Sequence, residues 1–399
     1  MSRLRLLLLF SFVQSFATIC IERGLMFLAH DRLGFSDEMN LWLAMSLGVA
    51  YVAGSLCSHR VSAAIGERRL LLVVIAAEMV ICAAMGVWLS PLWVFVGNAV
   101  MGGLDGLKWP VVESYISAGR SPLMKAKAVG RFNIAWSLSV PLAMLPAGTI
   151  IKVWAPGLLF LPAALHVWSL WILRAIPSVP RHRPQRATGP GGTDDLPRYR
   201  ALLVVSRWQM LGSYCLMWVI AALMPGVYER LGVAVTAATI LAALLDVARL
   251  AAFFFLERSS LWHNRLSPLI VAMIGLPAGF FMIVLGPHVA VVLAGELAYG
   301  LAAGMIYYAA LYYAMVGSNA SVESSGHHEG IIGLGFAIGP MAGLAGKALT
   351  PALGPILGTV VGVSPILLIC AAGAARHIRR LPRRHPQSQT SDEGPPKLI

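Results

Sequence analysis

Hydrophobic residues in this chain come in long unbroken runs, without the three-and-four spacing of a helix that shows one face to water. Twelve runs stand out, at roughly 6–29, 39–57, 70–89, 91–118, 131–153, 157–175, 203–226, 236–257, 268–286, 289–316, 330–349 and 355–376. A helix rises about 1.5 Å per residue, so a run of about 20 residues crosses a hydrocarbon core of about 30 Å. Strands of a membrane barrel would alternate apolar and polar positions; these runs do not, which excludes a β-barrel. The predicted fold class is all-α and integral to a membrane, with twelve transmembrane helices.

Polar positions divide the runs into two sets. Residues 177–202 open with PSVPRHRPQRATGPGG, a stretch rich in proline, glycine and arginine that reads as a flexible linker. The tail from 379 to 399 has the same character and reads as disordered. The expected organisation is a six-helix bundle over 1–176, a linker over 177–202, a second six-helix bundle over 203–378, and the tail. The two sets also resemble each other. At an offset of 198, Gly106 falls on Gly304, Tyr115 on Tyr313, Gly119 on Gly317 and Ser15 on Ser213; one gap later Pro141 falls on Pro340. Duplicated membrane halves are how many secondary transporters build a substrate site at the bilayer midplane, so transport leads among functions.

Composition narrows this further. The chain is 58% hydrophobic and 12% charged, with a mean hydropathy of +0.74. Water is the wrong solvent for so apolar a chain of 399 residues. The net charge of +13 could suggest nucleic acid. However, the basic residues gather at the N-terminus, in alternate loops, in the linker and in the tail. Arg3, Arg5, Arg60, Lys125, Lys127, Arg379 and Arg383 are examples, and the intervening loops hold few. That bias sets orientation and places both termini and the linker on the cytoplasmic side of an inner membrane. Contact with anionic lipid headgroups fits the same charges, and no nucleic-acid partner is expected.

The first twenty residues could pass for a signal peptide, but cleavage would remove the first span and break the repeat. Cys20, Cys57, Cys82, Cys215 and Cys370 are scattered one per apolar run, so no disulfide or metal framework is expected. His327-His328-Glu329 reads as the entry to a helix, because three consecutive helical residues cannot converge on one ion. No phosphate-cradling glycine loop and no grouped nucleophile, base and acid are present, which argues against a nucleotide-driven pump and against an enzyme. No cofactor is expected.

Local motifs then carry a family resemblance over nearly the whole chain. After the second span comes Gly54-SLCSHRVSAAI-Gly66-Glu67-Arg68-Arg69; Glu113 closes the fourth span, Gly130-Arg131 opens the fifth, and Gly335-FAI-Gly339-Pro340-MA-Gly343 lies in the eleventh. With twelve spans in a 6+6 repeat, this resembles the major facilitator superfamily. The loop departs from the family pattern in its longer spacing and in lacking the usual aspartate. The resemblance implies alternating access, a central cavity lined by spans 1, 4, 7 and 10, and a cytoplasmic charge lock made by Glu113 with Arg68, Arg69 and Arg131.

Charges inside spans are candidate functional residues, because insertion of each costs at least about 2.5–3.5 kcal/mol at the bilayer centre. Asp105 and Lys108 sit three apart on one face of span 4 with Trp109 beside them; Asp246 and Arg249 repeat the spacing in span 8. Such pairs serve substrate or coupling, or simply satisfy each other. Glu22 and Arg23 are adjacent, about 100° apart on an α-helix, so one is expected to line the cavity and the other to reach the outer interface. Glu296 has no basic neighbour within a turn and is the expected proton carrier; Tyr299 and Tyr307 continue its face. Gln14 on span 1 and Tyr214 on span 7 complete the candidate set. Together these point to a monomeric, proton-coupled carrier of a small organic solute, amphipathic or zwitterionic. A uniporter, or a non-transporting scaffold or sensor on the same fold, is the alternative.

Overall fold

The computed structural model describes residues 3–117, 122–176, 196–317 and 322–382. Most of the expected linker and tail therefore lie outside the described residues. In lipid each backbone N–H and C=O must be satisfied within its own segment, and continuous apolar runs accordingly become helices. The first is α1 (Arg3–Ile19), a π turn (Cys20–Gly24) and α2 (Leu25–Leu33) in one rod. Then follow α3 (Asp37–Ile65), α4 (Glu67–Val87), α5 (Pro91–Ser117), α6 (Pro122–Trp154) and α7 (Gly157–Leu173). The second set is α8 (Leu196–Arg230), α9 (Val235–Ala242), α10 (Leu244–Arg258), α11 (Ser267–Leu285), α12 (Val289–Gly317), α13 (Val322–Ala348), α14 (Thr350–Leu353) and α15 (Pro355–Ile378).

Among the described residues, 10 helices are long and apolar enough to cross a membrane. Two further expected spans are α5, whose run is broken by Asn98, Asp105, Lys108 and Glu113, and α7, which is apolar but shorter. Both pack among the others, α5 chiefly on α3 and α7 chiefly on α4, so twelve is consistent with the structure. Large apolar side chains face outward, among them Leu56, 75% exposed, and Val271, 70% exposed. Such a surface suits lipid and not water. The chain is a multi-pass integral membrane protein.

Helix ends follow local chemistry. Ser36 caps α3 by accepting from the Met39 N–H at 3.2 Å, and Asp37 and Glu38 complement the helix dipole in its first turn. Gly34 and Gly232, 198 apart, take φ of 68° and 71°, a left-handed backbone that glycine adopts without a Cβ clash. Arg32 and Arg230 share that offset. Arg32 donates to the Ile151 carbonyl at 2.8 Å and Arg230 to the Val284 carbonyl at 3.0 Å. The repeat thus extends from sequence to capping geometry. It extends to packing too. Gly106 on α5 lets the backbone of α3 approach at Tyr51, and Gly304 on α12 does the same for α10 beside Arg249 and Ala252.

The first and second sets meet along α3 with α13 and along α6 with α9 and α10. On the face opposite the chain start, polar bridges tie them together. Lys347 pairs with Asp37 at 2.7 Å, His30 with Glu229 at 2.9 Å, and the Gly148 N–H donates to Thr239 Oγ1 at 3.0 Å. The Asn40 amide donates to the Met26 and Ala222 carbonyls, both at 3.2 Å.

Candidate functional site

Between the two sets lies a cavity of about 140 Å³. Its wall takes side chains from both. Ser15, Thr18, Glu22, Arg23, Tyr51, Trp109, Glu113 and Trp136 come from the first, and Tyr214, Trp218, Asp246, Arg249, Tyr307, Glu329 and Phe336 from the second. The expected cavity helices, spans 1, 4, 7 and 10, all contribute, joined by α3, α6, α10 and α13.

The π turn decides how the first helix presents its charges. All five of its residues are buried. Its wider turn brings successive side chains closer in angle than an α-helix does. Glu22 and Arg23 therefore both line the cavity, which corrects the expectation that one would reach the outer interface. Arg23 crosses to the other half and pairs with Asp246. Its guanidinium also donates to the Ala242 carbonyl at 3.3 Å. That carbonyl is available because the eighth span is interrupted between α9 and α10. The Asp246 N–H bonds to Ala243 O at 3.1 Å instead of to Ala242. The sequence pattern predicts one continuous helix here; the interruption is the difference, and it falls beside the charged pair.

Asp246 also holds Arg249, Nη2 to Oδ1 at 3.0 Å. Arg249 lies over the Trp136 ring, 5.0 Å from its centre. Rings continue from there. Trp136 meets Tyr307, Tyr307 meets Tyr214, and Tyr214, Trp218 and Tyr51 all meet Phe336. The cavity thus has an arginine-rich region, an aromatic midsection, and an acidic end near the chain-start face. At that end Tyr51 donates to Glu329 Oε2 at 2.8 Å, and Glu329 is hydrogen-bonded to Glu113 across the two halves.

The lock residues are arranged differently from the family expectation. Glu113 lies against Glu329. Arg68 donates to the Arg174 carbonyl at 3.1 Å, and Arg131 is exposed and faces Glu257. Glu329 belongs to the triplet expected only as a helix entry; its carboxyl reaches the cavity, while the side chains of His327 and His328 lie outside the described residues.

Asp105, Lys108 and Gln14 sit one layer behind the wall. Lys108 is wholly buried and pairs with Asp105 at 2.6 Å and with Glu78 at 2.8 Å, and it donates to Gln14 Oε1 at 3.1 Å. Thr18 donates to Asp105 at 3.1 Å. Glu78 from α4 and His166 from α7, 3.4 Å apart, complete the cluster. Both escaped the sequence reading, although each is a lone ionisable residue deep in an apolar run, the same signal that marked Glu296. Glu296 itself is fully buried outside the cavity lining and accepts from Tyr228 at 2.7 Å. Tyr299 is buried as well and donates to the Ser213 carbonyl at 2.5 Å.

Known structures share this architecture. The nucleoside transporter NupG superposes with a TM-score of 0.66 at 15% identity, over 96% of this chain and 100% of that one. A bacterial homologue of the human lysosomal transporter Spinster, solved inward-facing and unoccupied, gives 0.68 at 14% identity, over 96% of this chain and 98% of that one. A POT family transporter in complex with a thioalcohol-conjugated peptide gives 0.71 at 12% identity, over 94% and 96%. At such identities the likeness shows the fold. No curated protein matches the chain. The model of the Major Facilitator Superfamily, however, matches residues 7–344, and with the helices and the cavity in place the chain belongs to that superfamily.

Proposed function

We propose that this protein is a secondary carrier that moves a small organic solute by alternating access, coupled to protons. The observation that carries the reading is the Arg23–Asp246 pair, which ties the two halves together at the wall of the cavity between them. A bridge between halves holds one state, and a solute that competes for its members releases it. The cavity chemistry suggests the solute class. Arginines suit an acidic group, the Glu113–Glu329 end suits a basic one, and the rings between them suit an apolar or planar body. An amphipathic or zwitterionic solute meets all three. The wall is complete within one chain, so a monomer suffices. The alternating basic loops support an inner-membrane protein with both termini cytoplasmic; a C-terminal reporter active only in the periplasm would contradict that.

Purified protein melted against a metabolite library tests the reading, since a ligand raises stability through the state it binds. Expected are hits confined to amphipathic or zwitterionic compounds, lost in Arg249→Gln, and counterflow of the best hit in proteoliposomes. Accumulation driven by a proton gradient separates the coupled carrier from a uniporter. Neither stabilisation nor counterflow by any compound would instead leave a scaffold or sensor.

A further inference from the structure

Behind the cavity wall, the Lys108 cluster is one positive charge short. Its members come from four helices: Gln14 and Thr18 on α1, Glu78 on α4, Asp105 and Lys108 on α5, and His166 on α7. The residues Gln14, Glu78, Asp105, Lys108 and His166 are all fully buried. One ammonium faces two carboxylates; the other ionisable groups around them are Cys82, Cys20 and Glu22, and the cations beyond, Arg23 and Arg249, act on Glu22 at the cavity wall and are paired with Asp246. Apolar surroundings disfavour an uncompensated charge, so a further positive charge belongs here.

The hydrogen bonds show where it goes. Lys108 donates to Gln14 Oε1, which fixes the orientation of that amide. Gln14 Nε2 can then only donate, and it faces His166 Nδ1 at 3.2 Å. His166 Nδ1 is therefore an acceptor, and its ring proton sits on Nε2. Glu78 Oε2 lies 3.4 Å from that same Nδ1 and has no hydrogen-bond partner. Two acceptors facing each other repel. A proton on Glu78 Oε2 removes that repulsion, lets the O–H share the Nδ1 lone pair with the Gln14 N–H in a three-centre contact, and brings the charge of Lys108, Asp105 and Glu78 to zero.

From this we infer that Glu78 and His166 form a proton-binding site, separate from the solute cavity and held wholly within the first half of the chain. Thr18 connects the two, because it lines the cavity and also donates to Asp105. A proton enters from the cavity side past Thr18 and Gln14, rests between Glu78 and His166, and leaves by the same route. The site deepens the proposed function by naming where the coupling proton is held. It is preferred to Glu296, which is outside the cavity lining and has no histidine against it among the described residues, whereas Glu78 faces His166 and connects to the cavity through Thr18.

Infrared spectroscopy of the purified full-length protein at neutral pH tests the site without any solute. In a Glu113→Gln/Glu329→Gln background, which removes the carboxyl pair at the acidic end of the cavity, a carbonyl band of a neutral carboxylic acid is expected, lost on adding Glu78→Gln, shifted by His166→Gln, kept in Glu296→Gln and indifferent to sodium chloride. A band that survives Glu78→Gln in that background overturns the inference, as does a band removed by sodium at fixed pH, which would make the ligand a metal cation. If the Glu78 variant does not fold, the spectra of the background with and without His166→Gln decide, because an absent band, or one that His166→Gln leaves unmoved, overturns the inference. Failure here leaves carrier activity, read by counterflow, untouched.

Discussion

The two buried charge networks differ in what they span. The Lys108 cluster lies within the first half and has no exposed member, whereas the Arg23–Asp246–Arg249 network joins the halves and lines the cavity. A network inside one rigid unit keeps its geometry while the halves move, so it can store a charge through the whole cycle. One that crosses between units must break and reform, so it can report which state the molecule is in. The same residue types are thus suited to two tasks, and connectivity decides between them.

Removing a central cation should break the comparison most severely. Lys108→Met leaves the buried carboxyls of Asp105 and Glu78 without their counter-ion, and loss of one member of a buried pair costs about 3–5 kcal/mol. A large drop in melting temperature is expected, partly recovered by adding Glu78→Gln and Asp105→Asn. A melting curve like that of the wild type would mean that water reaches the cluster.

Asp246→Asn should act on conformation more than on folding. Arg23 and Arg249 lose their shared carboxylate, and the bridge between halves weakens by about 2 kcal/mol. Single cysteines placed near Asn40 and Ala222 should become reactive, with melting less affected than in Lys108→Met. Unchanged labelling would mean that Lys347–Asp37 and His30–Glu229 close that face unaided.

A smaller shift is expected for Glu113→Gln, because an amide can still hydrogen-bond to Glu329. Labelling of cysteines at the chain-start end should change by no more than about 1 kcal/mol in population. A large change would return Arg68 and Arg131 to the role of partners.

The least effect concerns the loop between α10 and α11, outside both networks. Burial holds the His263 imidazole down, to about 4 from its usual 6.5, and its ring stacks on Tyr312 at 4.4 Å. A depressed histidine favours the neutral folded form, so stability is full above about 6.5 and falls as pH drops toward 4. The loss should be on the order of 1 kcal/mol and be absent in His263→Phe; an equal slope in that variant would assign it to other groups.

The long apolar runs made the helices and their repeat legible, because lipid leaves the backbone few alternatives. Pairing at i,i+3 likewise pointed to Asp105 with Lys108 and Asp246 with Arg249. What stayed hidden was contact between helices. Nothing in the chain order brings Glu78 to Lys108 or Arg23 to Asp246, which are 30 and 223 residues apart. Glu296 looked alone for the same reason, since Tyr228 reaches it from another helix. The Glu22–Arg23 geometry failed differently. A period of 3.6 does not hold where the chain adopts a wider turn, and the residue types give no sign of it.

That wider turn also changes how the first helix counts. A π turn holds one residue more than the α-helical turn it replaces. Elsewhere in a packed span, deleting a residue swings everything downstream by about 100° and scrambles its neighbours. Between Cys20 and Gly24, deletion of Ile21 could be absorbed by reverting to regular winding, leaving Leu25–Leu33 seated as before. The length of this segment is therefore a variable that insertions and deletions can explore, with the aim of Arg23 as the quantity that changes.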